Sequence, residues 1–178
     1  MVQRHEADGV KIPSNTRDVT LRDLIFLCQN MRPDEMEQLR AYYPEDELED
    51  VDRIAAAFYH RPGPRMTVLD PDGIPAVCGG WTMVSPGVWE AWMVGTMSGW
   101  RTSWRSITKT SRWMMAMLAQ TQGARRFEMS AIGTRPGACQ WYIDGLGMVQ
   151  EGVRRARGRN GEDIHDFGVV VGDLKWAV

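Results

Sequence analysis

The chain has few residues of the types that build disulfide frameworks and metal sites. Its three cysteines, Cys28, Cys78 and Cys139, lie far apart and include no Cys-x-x-Cys pair. We therefore expect reduced, partly buried thiols and not disulfides or a zinc site. The three histidines are isolated from one another and from other candidate ligands, so no metal is expected. No Gly-x-Ser-x-Gly motif occurs, which argues against the nucleophile elbow of α/β-hydrolases.

Long apolar runs and an excess of one charge are also missing. The longest uncharged stretch, residues 74–89, is interrupted by two prolines and three glycines, so we expect no membrane span. The first residues lead into no apolar segment, and we expect no secretory signal. The 21 basic and 23 acidic residues give a formal net charge of −2. This balance argues against a dedicated nucleic-acid binder, which is normally basic.

Tryptophan and methionine, in contrast, are abundant, with eight and twelve residues. Both provide adaptable apolar surface, and a high aromatic content is typical of proteins that contact partners. A length of 178 residues favours a single domain. The polar composition of residues 1–16 predicts an extended N-terminal arm, followed by one domain over residues 17–178.

The periodicity of apolar residues predicts helices and strands in a mixed order. The predicted helices start after the N-cap Thr20 and at Pro33, and cover residues 45–59, 103–122 and, as a short helix, 136–145. The predicted strands cover residues 66–69, 74–84, 88–95, 126–131, 148–157 and 163–171. This order predicts an α+β fold, in which helices flank one mixed, mostly antiparallel sheet.

Three segments resemble the GNAT acetyltransferase superfamily, and the resemblance covers residues 17–171. Arg17–Leu24 resembles the strand-to-helix junction that opens this fold. Trp92–Gly95, placed before a long helix, resembles the central strand and the acyl-CoA-binding helix. Ala138–Met148 resembles the late helix that ends in a Leu-Gly-Phe step. The resemblance implies a GNAT-like fold and, in an active member, acyl transfer from acyl-CoA to an amine.

The family's pyrophosphate loop usually reads Gln/Arg-x-x-Gly-x-Gly/Ala, so that backbone N–H groups meet the phosphates. Residues 96–104 instead contain one glycine and two tryptophans, Trp100 and Trp104, which we expect to pack the long helix against the sheet. No cofactor is therefore expected. If acyl-CoA does bind, the resemblance implies contacts from the following residues: Val94, Gly95, Ser98, Gly99 and Arg101.

Two residues are candidates for catalysis. The family's tyrosine, which protonates the departing thiolate, corresponds to Tyr142 when counted from the start of the late segment, and to Ile143 when counted back from the Leu-Gly step. A structural place for Tyr142, in the core or on the helix surface, is favoured over a catalytic one. A general base requires a carboxylate or histidine near the central strand. Glu90 is the acid within that strand and Glu128 lies on the next, although either could be a solvated surface residue.

A closer resemblance is to small GNAT-like proteins encoded by short-tailed bacteriophages, among them an internal virion protein. The shared features are a tryptophan-containing central strand that runs straight into an arginine-rich helix, and the segment Thr134–Trp141 before a Leu-Gly turn. This resemblance implies a protein of the phage virion, in its interior or head–tail region, that is made in the host cytoplasm. It implies several copies, bound to other virion proteins, and a catalytically degenerate fold that serves for docking.

The alternative is an active acetyl-CoA-dependent N-acetyltransferase that modifies a host or phage amine. For the docking hypothesis, the candidate partner-binding residues form an arginine run that enters the last predicted hairpin: Arg154, Arg155, Arg157 and Arg159. Arginine grips carboxylates well at interfaces. The same run could be a solvated hairpin tip or, less favoured, a contact to a nucleic-acid backbone.

Overall fold

The computed structural model describes residues 12–176, so residues 1–11 of the predicted N-terminal arm lie outside the described residues. The strands are β1 Thr16–Asp18, β2 Arg65–Leu69, β3 Pro75–Ser85, β4 Val88–Gly95, β5 Arg126–Ile132, β6 Val149–Arg154 and β7 Ile164–Val170. The α-helices are α1 Leu21–Gln29, α2 Pro33–Arg40, α3 Glu45–Leu48, α4 Val51–Tyr59, α5 Met97–Gln122 and α6 Pro136–Gln140. A π-helical turn, Trp141–Gly145, continues α6.

The seven strands form one sheet in the order β1-β2-β3-β4-β5-β7-β6. Neighbouring strands pair antiparallel, except for β4 and β5, which run parallel. The predicted α+β fold with a mixed, mostly antiparallel sheet is confirmed, as is the antiparallel pairing of β3 with β4. Within residues 12–176, none of the helices has both the length and the apolar composition of a bilayer span.

Helices cover the two faces of the sheet. On one face, α1 and α4 pack against alternate residues of β4, with Leu24, Phe58 and Trp92 in one core cluster. On the other face, α5 and the late helical segment pack against the remaining residues, with Leu118 and Phe127 in a second cluster. Successive side chains of a strand point to opposite faces, so β4 contributes to both clusters.

The parallel pair β4–β5 is short. Its register runs from Val88 opposite Arg126 to Glu90 opposite Glu128 and then stops, although β4 continues to Gly95. Strand β5 meanwhile stays paired with β7 as far as Ile132. The two strands therefore diverge towards their carboxyl ends, and the gap between them is the central feature of the molecule.

The prediction of one helix over residues 45–59 is wrong, because Asp50 starts a new helix. Its side chain accepts hydrogen bonds from the backbone N–H groups of Asp52 and Arg53, as an N-cap does. The prediction that Thr20 caps the first helix is confirmed. The Thr20 hydroxyl accepts from the N–H of Asp23, and the Asp23 carboxylate accepts from the N–H of Thr20.

The long helix begins at Met97 and not at Ser103, so most of the stretch predicted as a loop is helical. Thr96 is the N-cap, and its hydroxyl accepts the N–H of Gly99 at 3.0 Å. The expected packing of Trp104 against the sheet is also wrong. Its side chain is 49% exposed, and the guanidinium of Arg105 lies over its ring.

Gly99 allows α5 to approach β3 closely. A Cβ atom at this position would lie 2.5 Å from the Cα of Ala76 and 2.6 Å from its carbonyl oxygen. Both contacts are far shorter than van der Waals distance, and both involve backbone, which cannot move aside without shifting the strand. The glycine that we considered for phosphate binding therefore has a clear packing role.

We expect Gly99→Ala to lower the free energy of unfolding by about 2 kcal/mol, because the added methyl group overpacks the contact with β3. Gly137→Ala in α6 is the matched control, since its added Cβ meets nothing within 4 Å. It should leave stability unchanged or raise it by up to about 1 kcal/mol. Urea unfolding followed by circular dichroism measures both, and equal effects would contradict the close approach.

Candidate functional site

The divergence of β4 from β5 opens a cavity of about 500 Å³, called the central cleft below. Helices α2 and α4, the start of α5 and the late helical segment complete its walls. The aromatic residues of its lining are Tyr42, Tyr43, Phe58, Trp92, Trp100, Trp141 and Tyr142. Its charged lining residues are Arg32, Glu35, Arg61, Glu90, Arg135 and Arg154. Exposed side chains of Tyr42, Glu90 and Arg154 mark the side on which the cleft meets solvent.

Helix α2 is attached to the end of β4. The Glu35 carboxylate accepts the N–H of Gly95 at 2.8 Å, and the carbonyl oxygen of Gly95 accepts the N–H of Arg32 at 3.2 Å. The start of α2 therefore takes up both backbone groups of Gly95 that point into the gap. Backbone groups at a diverging strand end need such partners when they are buried.

The same helix is attached to the end of β5. Gln38 accepts the N–H of Ile132 at 2.8 Å, and Asp34 accepts a hydrogen bond from Arg135 at 3.0 Å. The hydroxyl of Thr134 donates to Glu37 at 3.0 Å. Helix α2 thus spans the opening between the two strands and fixes how far apart their carboxyl ends lie.

Glu35 is the centre of this bridge and was not found by sequence reasoning. Arg32 donates to it at 2.6 and 3.1 Å, and Arg135 lies 3.9 Å away. Burial raises the pKa of Glu35, and the two arginines and the N–H of Gly95 counteract that rise. In the sequence, Glu35 is only an acid in the first turn of a helix, which is a common and uninformative position.

We expect Glu35→Gln to lower the free energy of unfolding by about 3 kcal/mol, because it removes the buried carboxylate shared by the half-buried Arg32 and the buried Arg135. Glu45→Gln is the control: Glu45 pairs with Arg40 at 3.3 Å, but its side chain is 66% exposed. This exposed pair should contribute less than about 1 kcal/mol. Chemical denaturation of both variants is the measurement, and similar losses would refute the bridging role.

The π-helical turn explains why the two ways of locating the tyrosine disagree by one residue. A π turn contains one residue more than the corresponding α-helical turn, and here it covers Trp141–Gly145. Counting across it therefore moves the match from Tyr142 to Ile143. The two residues differ in their surroundings, since Tyr142 is buried and lines the central cleft, whereas Ile143 is 38% exposed.

The environment of Tyr142 keeps its hydroxyl protonated. Burial raises the pKa of Tyr142 to about 12, with Arg135 acting in the opposite direction and Glu35 adding to the rise. Its ring lies edge-on to Phe167, with centroids 5.2 Å apart. A fixed, neutral phenol at the wall of a cleft can donate a proton at any pH well below 12.

Glu90 lies where the two strands separate. It is exposed, lines the central cleft and is paired in register with Glu128. Glu128 is held by Arg126 at 2.6 Å, whereas within residues 12–176 Glu90 forms no ion pair. The pKa of nearby Arg154 is raised mainly by Asp166 and to a smaller extent by Glu90. A carboxylate in this position can accept a proton or bind a cationic group that enters from solvent.

Two tryptophans close the cleft towards α5. The rings of Trp100 on α5 and Trp141 in the late helical segment meet edge to face, with centroids 5.2 Å apart. The Nε1–H of Trp141 donates to the hydroxyl of Thr108 at 2.9 Å, and the guanidinium of Arg32 lies 4.7 Å from the Trp100 ring. This contact, called the tryptophan bridge below, joins two helical segments across the end of the gap.

The five residues considered for acyl-CoA contacts are not equally well placed to make such contacts. Val94, Gly95 and Gly99 are buried, and the backbone of Gly95 is already bonded to α2. Ser98 and Arg101 are exposed in the first turns of α5. They are therefore the two of the five that can still meet a phosphate.

Strand β4 also has backbone groups that face the gap. The N–H of Thr96 donates back towards β3, to the carbonyl oxygen of Ala76 at 3.0 Å, whereas the N–H of Gly95 points the other way, to Glu35. Backbone groups alternate in direction along a strand. The N–H and carbonyl of Met93 therefore point into the central cleft, beyond the last residue pair with β5.

The arginine run is largely exposed, and it lies in a longer connection than predicted. The hairpin itself is confirmed, but Arg154 ends β6 and residues 155–163 form the tip. Arg154 donates to Asp166 at 2.7 Å, and Arg155 and Arg157 are exposed. The tip rests on the end of α2, where the N–H of Arg159 donates to the carbonyl of Ala41 at 2.9 Å.

The three cysteines are all free, as predicted. Burial raises the pKa of both Cys28 and Cys78 to about 12, so both are thiols at neutral pH and poor nucleophiles. Within residues 12–176, no group of three His, Cys, Asp or Glu side chains could hold a metal ion.

The solved structures with a similar fold include several acetyltransferases. The chain matches a GNAT-family acetyltransferase from Bacillus anthracis at 10% identity and a TM-score of 0.65, covering 87% of this chain and 93% of the other. It matches a mutant of the spermidine N-acetyltransferase SpeG from Vibrio cholerae at 13% identity and a TM-score of 0.63, covering 87% and 92%.

A third similar structure is the ribosomal-protein-S5-alanine acetyltransferase from Vibrio fischeri, at 12% identity and a TM-score of 0.61, covering 90% of this chain and 94% of the other. No protein-family model matches the sequence, and no curated protein is similar to it in sequence. At these identities the likeness is one of fold. The chain has the fold of the GNAT acetyltransferases, as the sequence resemblance implied.

Proposed function

We propose that the protein is an acyl-CoA-dependent N-acyltransferase. The observation that carries the proposal is the central cleft, which opens where β4 and β5 diverge and has a protonated phenol, Tyr142, and a solvent-facing carboxylate, Glu90, in its lining. These two residue types are the acid and the base that acyl transfer between a thioester and an amine requires. The fold shared with acetyltransferases supports the same choice over the docking hypothesis.

The proposed reaction transfers one acyl group and two protons. The amine nitrogen attacks the thioester carbonyl carbon, the C–N bond forms and the C–S bond breaks. The departing thiolate takes the phenol proton of Tyr142, and the nitrogen loses its proton to the carboxylate of Glu90. Exchange with solvent restores both side chains.

The central cleft fits the thioester end of the donor better than the phosphate end. The backbone of Met93 offers hydrogen bonds inside the gap, and about 500 Å³ is enough for an acyl group and part of the pantetheine arm. Helix α5, however, starts directly after β4 and leaves no glycine loop for the pyrophosphate. Ser98 and Arg101 are then the proposed phosphate contacts, and we propose that the affinity for acetyl-CoA is weak.

The acceptor is proposed to be an amine that enters from the solvent side. Among the structurally similar proteins, one acts on spermidine and another on the alanine of a ribosomal protein, as their names state. A common feature of these acceptors is an amino group, and Glu90 is suitably placed to receive one. The identity of the amine is not implied by these similarities, because the sequence identities are below 15%.

We expect Tyr142→Phe to reduce kcat for acetyl transfer about 100-fold, because the thiolate then departs without a proton donor. The fold should survive, since the ring keeps its contact with Phe167. Tyr59→Phe on α4, outside the cleft, is the control and should keep full activity. Release of free thiol from acetyl-CoA in the presence of a panel of primary amines is the measurement. An unchanged kcat for Tyr142→Phe would remove Tyr142 from the mechanism.

A second candidate function is favoured by the tryptophan bridge. Because Trp100 and Trp141 close the cleft towards α5, the fold could serve as a docking unit in which no donor binds. This is the role implied by the resemblance to phage virion proteins, with the arginine run as the partner-binding surface. None of the three similar structures described above is a virion protein, so this candidate ranks second.

Replacing one tryptophan of the bridge distinguishes the two candidates. If Trp141 closes the donor entrance of an enzyme, Trp141→Leu should strengthen acetyl-CoA binding from a dissociation constant above 1 μM, which corresponds to about −8 kcal/mol. Trp104→Leu, which removes an exposed tryptophan of α5 that does not line the cleft, should have no effect. Calorimetric titration is the measurement, and a failure of acetyl-CoA to bind either variant or the unaltered protein would favour docking.

A further inference from the structure

The charged groups of the central cleft are not fully compensated by one another. Four arginines and two glutamates line it. Arg32 pairs with Glu35, Arg135 with Asp34, and Arg154 with Asp166. In the described part of the chain, the two lining residues left without an ion pair are Arg61 and Glu90, and they have opposite charges.

Arg61 is held in place by contacts that leave its charge uncompensated. Its guanidinium donates to the hydroxyl of Tyr43 at 3.1 Å and lies over the ring of Phe58, 5.4 Å from the ring centre. Its backbone carbonyl accepts a hydrogen bond from Arg65 at 2.8 Å. A neutral hydroxyl and an aromatic face orient a guanidinium without neutralising it, so it remains able to bind a carboxylate.

An aromatic surface connects Arg61 to Glu90. The Phe58 ring is stacked on Trp92, with centroids 5.3 Å apart and planes 24° from parallel. Trp92 lies two residues after Glu90 on β4 and therefore on the same face of the sheet. A ligand that spans this surface meets a cation at one end, a carboxylate at the other and apolar rings between them.

We propose that the central cleft binds a primary amine that also carries a carboxylate, with Arg61 bound to the carboxylate and Glu90 to the amino group. This ligand class comprises free amino acids and small peptides. It excludes polyamines as preferred ligands, because a second ammonium group would lie against Arg61. That the ligand is the acyl acceptor rests on the proposed function, whereas its binding does not.

The test compares amino acids with the amines that lack only the carboxylate. Phenylalanine is paired with phenethylamine, tryptophan with tryptamine, and lysine with cadaverine, and each is titrated calorimetrically into the protein without any acyl donor. In at least one pair, the amino acid should bind about tenfold or more tightly than its decarboxylated partner. Equal binding in all three pairs, tighter binding of the amines, or no binding at all would overturn the proposal.

Substitution of Arg61 tests whether this residue causes the tighter binding of ligands that carry a carboxylate. Arg61→Gln should remove the preference for the carboxylate, and Arg61→Lys, which keeps the charge, should retain part of it. Arg53→Gln is the matched control, since Arg53 lies on α4 but does not line the cleft. If Arg61→Gln still binds the amino acids more tightly than the amines, the assignment of Arg61 is wrong. It is also wrong if this variant loses affinity for coenzyme A titrated by itself.

The binding experiment and the test of the proposed function can give different answers, because the proposed function is tested by thiol release from acetyl-CoA. Carboxylate-dependent binding without any acyl transfer would support this binding site and contradict the enzyme. Acyl transfer to spermidine or to simple amines with no dependence on Arg61 would support the enzyme and contradict this ligand class.

Discussion

The divergence of two parallel strands is the constraint on which the rest of this structure depends. Parallel strands share hydrogen bonds only while their backbones stay about 4.8 Å apart, and β4 and β5 do so for three residue pairs. Beyond Glu90 the backbone groups of β4 that face the gap need other partners. Helix α2 supplies them at Gly95 and, on the opposite side, at Ile132. The gap is therefore held open by specific bonds and not left as a packing fault.

The contacts of helix α2 across the gap also explain how charged side chains can lie there away from solvent. Glu35 can be buried because Arg32, Arg135 and a backbone N–H surround it. Arg135 can be buried and Arg32 half-buried because Glu35 and Asp34 neutralise them. Arg32 in addition covers Trp100, which meets Trp141. Arg32 thus takes part both in the bonds that fix the width of the cleft and in the aromatic contact that closes one end. A substitution that changes one of these contacts should therefore also change the other.

Some features of the cleft come from the shared fold, whereas the helical start directly after β4 and the tryptophan bridge depart from the pattern expected of the family. The fold as a whole is similar to that of solved acetyltransferases, at TM-scores of 0.61 to 0.65. Within this fold, the divergence of β4 from β5 places Tyr142 and Glu90 in the lining of one cavity. The helical start and the tryptophan bridge lie on the α5 side of the cavity, from which a long donor such as acyl-CoA would have to enter. The proposed acceptor binding depends on neither departure, because Arg61 and Glu90 lie along the aromatic surface of Trp92 and Phe58 on the α4 side of the sheet.

The sequence by itself determined most of the fold. Alternating apolar residues located the strands, Thr20 and Pro33 located two helix starts, and the segments around Trp92–Gly95 and Ala138–Met148 indicated the GNAT fold, because these signals act over a few neighbouring residues. Local signals failed where one side chain changed the backbone, as at the caps Asp50 and Thr96. The site was predicted only in part: Tyr142 and Glu90 were candidates, whereas Glu35, Arg135 and Arg61 were not. Their roles come from contacts between residues as much as 101 positions apart, such as Asp34 with Arg135, and only tertiary packing decides which charges are compensated and which still face the cleft.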